Sequence, residues 1–302
     1  MVDSAALMYL DSALTIMQRH ALQHASVNWP QVRVTCVEML ANTPHPDAPY
    51  TAIRYALAQL RDQHSHFVPP QKMRDLEHGI YDSANRLPEG TWIKRIGYLT
   101  VPAFQGSTDA AIHYAETLHT LFTTLSARGV DGWIIDLTRN DGGNMWPMIA
   151  GIGPLLGSQP CGYFVAPESA LSIGWIYDQG WAGTEGHGCV YVTESALAHV
   201  NQHTPVAILI GTSTASAGEA VAVAFQGRPR TRILGQPTAG KASANQPFSL
   251  SDGACIFLTV ARFADRQHRL VPTRLLPDTI IDETNDIVHA ACVWLQKEQH
   301  IV

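Results

Sequence analysis

Ser216 and Lys241 are the two residues of this chain whose types and settings point most directly to chemistry. Ser216 stands in Thr214-Ala215-Ser216-Ala217-Gly218-Glu219, just after the apolar run Pro205 to Ile210. Lys241 stands in Gly235-Gln236-Pro237-Thr238-Ala239-Gly240-Lys241, just after a second apolar stretch, Thr231 to Leu234. A serine hydroxyl is a poor nucleophile until a nearby base takes its proton. A lysine is such a base only where its surroundings disfavour the ammonium form. A helix, a strand and a turn fit between the two residues and can return the lysine to the serine. The pair therefore suggests acyl transfer by a Ser-Lys hydrolase. The flanking Gly240 and Ala242 predict a largely buried amine at Lys241, with no close carboxylate.

Each of these segments also has a plainer reading. Ala217, Gly218 and Glu219 suit a helix start, so Ser216 is equally an N-cap serine. The same strand-to-helix turn would supply free N–H groups for an oxyanion. Gly235 to Lys241 nearly matches a phosphate-binding loop, but Ala242 replaces the Ser or Thr that would hold magnesium. No long helix is expected to follow it, as phosphate binding requires. Asn140-Asp141-Gly142-Gly143 follows an apolar strand, where glycines admit a ligand close to the backbone or simply turn the chain. In His64-Ser65-His66, His64 is read as active-site support or as a structural hydrogen-bonding residue, and His66 as structural. Asp62 is placed to anchor that turn. Met145, Trp146 and Met148 would line an apolar specificity pocket or fill the core. His20, His24, His113 and His119 read as helix-surface residues.

The elements that must carry these residues follow from periodicity. Residues 3–24 form an amphipathic helix pattern through Leu7, Leu10, Leu14 and Met17, capped by Asp3 or Ser4. A second helix is expected from Tyr50 to Leu60, and a helical N-terminal region ends near Pro69-Pro70. Residues 71–91 give no clear pattern. Trp92 to Phe104 reads as one strand, Asp109 to Leu125 as a helix, and Gly132 to Leu137 as a strand buried on both faces. Met145 to Leu156 reads as helix and Cys161 to Pro167 as strand. Further strands are expected at Pro205 to Ile210, Arg232 to Gly235 and Ala254 to Val260. Helices are expected at Ala217 to Phe225 and Val288 to Gln299. Such alternation predicts an α/β core.

The 302 residues suffice for one large domain or two modest ones. Hydrophobic residues make up 46% and charged residues 15%, a globular balance. A net charge of −6 without a basic run argues against nucleic acid as partner. The five cysteines are dispersed, which disfavours a disulfide framework or structural zinc and suggests that most are small buried apolar residues. No signal peptide and no membrane span is visible, so a cytoplasmic location is the expectation, with an exported protein lacking its leader the alternative. The sequence carries no signal for oligomeric state.

Several segments, in order, resemble the S41 family of serine peptidases, the tail-specific or C-terminal processing proteases. Leu60-Arg61-Asp62-Gln63-His64-Ser65 is similar to that family's Leu-x-Asp-x-His-Ser/Thr element. Ile96-Gly97-Tyr98-Leu99 with Pro102-Ala103-Phe104 is similar to its first core strand. Asp136-Leu137-Thr138-Arg139-Asn140-Asp141-Gly142-Gly143 is similar to its Asp-Leu-Arg-x-Asn-x-Gly-Gly loop. The segments around Ser216 and Lys241 match its nucleophile and base motifs, and Leu276-Pro277-Asp278 its closing Pro-Asp.

The resemblance implies an α/β fold like the ClpP/crotonase spiral, with a helical N-terminal subdomain over residues 1–75 and an S41-like catalytic core over residues 76–302. It implies a serine endopeptidase acting through a Ser216–Lys241 acyl-enzyme. Backbone N–H groups of Gly143 (or Gly142) and Ala217 would form the oxyanion hole, and no metal or organic cofactor is called for. The family's PDZ domain does not fit between Val68 and Lys94. The glutamine that often follows the lysine by four residues is here Asn245, with Gln246 beside it, so both are possible supports. Tricorn-type members use a histidine base in the position of His64, supported by a glutamate where this chain holds Pro272, which favours lysine. A polypeptide is the implied substrate, held by strand addition. The alternatives are a retinoid-like small-molecule binding module on the same scaffold and a hydrolase of a non-protein ester or amide.

Overall fold

The computed structural model describes residues 3–43, 45–80, 86–166, 172–192, 203–282 and 284–299. The helices are α1 (Ser4–His20), α2 (Trp29–Asn42), α3 (Ala48–Gln59), α4 (Pro70–Glu77), α5 (Thr108–Ser126), α6 (Met145–Ile152), α7 (Ala217–Phe225) and α8 (Ile287–Gln299). The strands are β1 (His66–Val68), β2 (Glu89–Ile93), β3 (Ile96–Thr100), β4 (Gly132–Asp136), β5 (Gly162–Val165), β6 (Ser172–Asp178) and β7 (Trp181–Thr184). They continue with β8 (His187–Tyr191), β9 (Val206–Ile210), β10 (Thr231–Gly235), β11 (Ser243–Ser249), β12 (Cys255–Asp265) and β13 (Thr279–Ile280). Among the described residues, no helix is long and apolar enough to cross a membrane.

The elements fall into two compact units. The first takes in the chain up to Ile80 together with Ser243–Ala261. Asp3 caps α1 through a bond from the Ala5 N–H, and Leu10, Leu14 and Met17 are buried, as their spacing predicts. Helix α2 follows its N-cap Asn28, whose side chain accepts from Gln31 N at 3.3 Å, and it buries Val32, Cys36 and Leu40 at intervals of four. Their shared core takes in Leu250, Ala254, Ile256 and Leu258 from the β11–β12 hairpin. Strand β1 pairs antiparallel with the start of β12. Tyr9 and Tyr50 both donate to Asp252 in the hairpin turn, at 2.9 and 2.5 Å, tying α1 and α3 to it.

The second unit is built on a six-stranded sheet in the order β13-β10-β9-β4-β3-β2. All its pairings are parallel except β2 on β3. Strand β9 is buried along its whole length, and β4 from Gly132 to Ile135. Continuous apolar runs of this kind belong at the centre of a parallel sheet covered on both faces. Ala291 and Leu295 of α8 cover Ile134, Ala207 and Leu209 on one face. Strands β5 to β8 form an antiparallel meander, and Arg262–Asp265 at the end of β12 adds to β5. Trp175, Phe164 and Phe263 pack together there, with ring centroids 5.0 to 6.0 Å apart.

Several expectations need correction. The single strand over Trp92 to Phe104 is a hairpin, β2 and β3. It turns at Lys94 and Arg95, which both adopt positive φ (54° and 101°), the pairing a two-residue hairpin turn needs. His119 is buried, not on the surface, because it shares the inward stripe of α5 with Ala115, Leu118 and Phe122. Burial lowers its pKa below that of an ordinary histidine. Most of the cysteines are buried, as expected: Cys36, Cys161 and Cys255, with Cys189 exposed and Cys292 half-buried.

Candidate active site

Strand β9 delivers the chain to a tight turn, Gly211 to Ser216. The turn is held by the buried Thr214, whose hydroxyl donates to Leu137 O at 2.8 Å and accepts from Gly211 N at 2.9 Å. Ser216 then occupies the N-cap of α7 with φ 50° and ψ −111°. A plain N-cap serine has an extended backbone. A non-glycine residue held at positive φ on a strand-to-helix turn is a strained arrangement of the kind found at nucleophiles. Ser216 is thus an N-cap serine, as the plainer reading has it, but on a strained backbone. Ala217 is the first residue of α7, so its N–H meets no carbonyl within the helix.

Lys241 arrives on the loop after β10. Glu219, in the first turn of α7, is fully buried and gathers that loop and the serine turn onto one carboxylate. Its Oε2 accepts from Ser216 N at 2.8 Å and from Lys241 N at 2.9 Å. Its Oε1 accepts from Gly240 N at 3.3 Å and from the Thr238 hydroxyl. The backbones of Ser216 and Lys241 are thus no farther apart than two hydrogen bonds laid end to end. Burial pushes the Glu219 carboxyl above its usual range, and the four donors pull part of the way back.

One feature of the expected lysine site needs correction: Lys241 is half-buried, not largely buried. Glu219 binds its backbone N–H, and among the described residues no ion pair of its ammonium is seen. From the sequence, Glu219 is legible only as a residue compatible with a helix start. The Ser-x-x-Glu spacing of Ser216 and Glu219 was the available signal, since that pattern places a carboxylate back on the N-cap N–H.

The glycine loop follows β4. Asn140 is fully buried and fixes it, donating to Val101 O at 2.9 Å and accepting from Gly142 N at 3.1 Å. Its backbone carbonyl accepts from Ala215 N at 2.9 Å, which holds the loop against the serine turn. The Gly142 N–H is therefore engaged by Asn140. A side chain on Gly142 would begin 3.0 Å from Ser216 Cβ, so this glycine borders Ser216 directly. Gly143 has φ 95°, and a Cβ there would overlap the Phe104 carbonyl oxygen. Gly143→Ala is expected to cost about 1–3 kcal/mol of stability and to depress turnover. Urea unfolding alongside a peptidase assay checks both.

A cleft of about 1100 Å³ opens beside this loop. Gly142, Gly143 and Phe104 form part of its wall, and Tyr98, Arg139 and Ser213 give it polar groups. Met145 and Met148 are buried in the core and do not line it. Met148 Sδ instead lies 3.3 Å from the Asn140 amide nitrogen.

His64, Asn245 and Gln246 belong to the first unit. His64 Nδ1 is 2.9 Å from Ser243 Oγ, and its carbonyl accepts from the Asn245 amide at 2.8 Å. Asp62 anchors this turn as expected, accepting from His64 N at 3.0 Å and from the Ser65 hydroxyl at 2.8 Å. Asn245 Oδ1 also accepts from the Thr259 hydroxyl at 2.9 Å. Gln246 is exposed. Within the second unit, Ser216, Lys241, Ala217, Gly142 and Gly143 lie on adjoining turns, and within the first unit His64, Asp62 and Asn245 share hydrogen bonds.

The model of peptidase family S41 matches residues 95–281. The nisin-resistance protein of Lactococcus lactis subsp. lactis is 26% identical over 290 residues, covering 96% of this chain and 87% of that protein. The carboxyl-terminal-processing protease of Synechocystis sp. is 31% identical over 191 residues, 62% of this chain but only 38% of that protein. Among solved structures, a lipoprotein from Streptococcus agalactiae superposes with a TM-score of 0.79 at 22% identity, covering 98% of both chains. The photosystem II D1 C-terminal processing protease superposes with a TM-score of 0.63 at 17% identity, covering 93% of this chain and 94% of that one. At these identities the superpositions speak for a shared fold, including the helical N-terminal region.

Proposed function

The chain belongs to peptidase family S41 and is a serine-type peptidase, and from this premise we propose that it is an endopeptidase cutting polypeptides near their C-termini through a Ser216–Lys241 acyl-enzyme. Ser216 Oγ attacks the scissile carbonyl carbon while the neutral Lys241 amine takes its proton. The resulting ammonium returns that proton to the leaving amine. Water, deprotonated by the same amine, then attacks the acyl-enzyme and releases the acid. The N–H groups of Gly143 and Ala217 hold the oxyanion in both halves of the cycle. The observation that carries this reading is the shared Glu219 oxygen, which draws the Ser216 and Lys241 backbones to one point. The strained φ of Ser216 supports it.

The test is labelling with a serine-reactive peptidyl phosphonate, followed by peptide mapping, together with hydrolysis of casein. One adduct at Ser216 and cleavage of the unfolded protein are expected. Absence of both rejects the proposal. A narrower reading takes its substrate from the nisin-resistance protein, which the chain matches over most of its own length. Adding nisin to the same assay separates the two: nisin cleaved with casein untouched favours the narrower one.

A further inference from the structure

We infer that Arg139 is the receptor for the free α-carboxylate of the substrate, so that the preference for chain ends is set inside the catalytic unit. This rests on the peptidase reading above and adds to it a specificity-determining residue. The cleft beside Gly142 and Gly143 contains two guanidinium groups, Arg139 and Arg86. Arg139 is exposed and makes no ion pair among the described residues. By contrast, Arg95, Arg230 and Arg269 in the same unit pair with Asp131, Glu298 and Asp265.

The backbone that presents Arg139 is held on both sides. Thr138 donates from its N–H and its hydroxyl to Asp136 Oδ1, at 2.8 and 2.7 Å. Asn140 is fixed by its bonds to Val101 and Leu137. A guanidinium on a rigid loop offers a bidentate fork matched to a carboxylate. Asp136, three residues before Arg139, has its other oxygen occupied by the Tyr98 hydroxyl at 2.5 Å, so both its oxygens already have donors. Glu89 and Asp141 remain on the cleft wall as exposed acceptors. They disfavour a broadly acidic substrate and suit the N–H groups of an incoming chain, leaving Arg139 for its single terminal charge.

Position adds a second consequence. Arg139 and Gly143 lie on one short loop, and an extended peptide spans only about 3.3–3.6 Å per residue. A terminal carboxylate on Arg139 therefore leaves only a few residues beyond the scissile bond. The released product is a short C-terminal peptide.

The test uses one casein-derived peptide made twice, as the free acid and as the C-terminal amide. The wild-type enzyme is expected to cleave the acid with a kcat/KM at least about tenfold higher, the difference lying in KM. Arg139→Gln should collapse the ratio of the two peptides to near one, and Arg139→Lys should restore part of it. Equal cleavage of acid and amide by the wild type overturns the inference while leaving the peptidase reading intact. So does a ratio unchanged in Arg139→Gln. Failure to cleave either form, with no phosphonate adduct at Ser216, overturns the peptidase reading and this inference with it. A preference for the amide would point to Glu89 and Asp141 as the recognising charges and also overturns it.

Discussion

Ser216→Ala and Lys241→Ala are each expected to lower kcat by on the order of 10⁴-fold or more while leaving a folded protein. The two residues act as one unit, so the double variant should be barely worse than either single one. Neither side chain is part of the core: Ser216 and Lys241 are both half-buried. Thermal unfolding should therefore stay close to wild type. His64→Ala is the comparison that identifies the base. With Lys241 as the base, its removal is expected to cost no more than about tenfold. A His64 variant as inactive as the Ser216 variant, with Lys241→Ala retaining activity, would exchange the roles of the two bases. Matching kcat measurements on one unfolded substrate decide the order.

The parts of this site legible in the sequence are those written into long apolar runs. Strand β9 and helix α7 are buried along their full length, so the turn between them could only be where Ser216 lies. The glycine loop follows the buried β4 for the same reason. Elements that face solvent on one side were harder to see. The meander β6 to β8 mixes glycines and polar residues with its apolar ones. Strand β11 carries polar residues beside Ala244, Pro247 and Phe248 and lies half-exposed beside β12. The β2–β3 turn lacks the Asn-Gly signal that usually marks such hairpins, since Lys94 and Arg95 take the left-handed conformations themselves. His119 was misplaced because a histidine between Leu118 and Phe122 reads equally as the edge of an apolar stripe or its solvent side. Glu219 was missed as a functional residue for a different reason. A carboxylate in the first turn of a helix is ordinarily explained by the helix dipole, and only tertiary structure reveals that the Lys241 loop returns to it.

Glu219→Gln is expected to be the most damaging conservative substitution outside the reacting groups. The native carboxylate accepts from four donors, Ser216 N, Lys241 N, Gly240 N and the Thr238 hydroxyl. A glutamine of the same shape turns one of its two acceptor atoms into an NH₂ group, which must then face donors. Each buried donor left unsatisfied costs about 1–3 kcal/mol, and the loop or the serine turn will move to escape that cost. A displacement of about 1 Å suffices for a loss on the order of 10²-fold. The loss should fall on kcat with KM nearly unchanged, because Glu219 touches the backbones of Ser216 and Lys241 and does not line the cleft. The pH dependence supplies a readout that a general packing defect would not move. Burial raises the Glu219 carboxyl above its ordinary value of 4.5, so the folded state holds this proton more tightly than the unfolded chain. The stabilisation from this linkage is complete below that ordinary value and is lost as pH rises through the raised folded value. The glutamine variant has no such proton. Urea unfolding of both proteins from about pH 4 to pH 8 should therefore show the advantage of wild type over Glu219→Gln shrinking as pH rises. An advantage that grows with pH would mean that the four donors outweigh burial and hold the carboxylate ionised, and the sign assigned to Glu219 would be reversed.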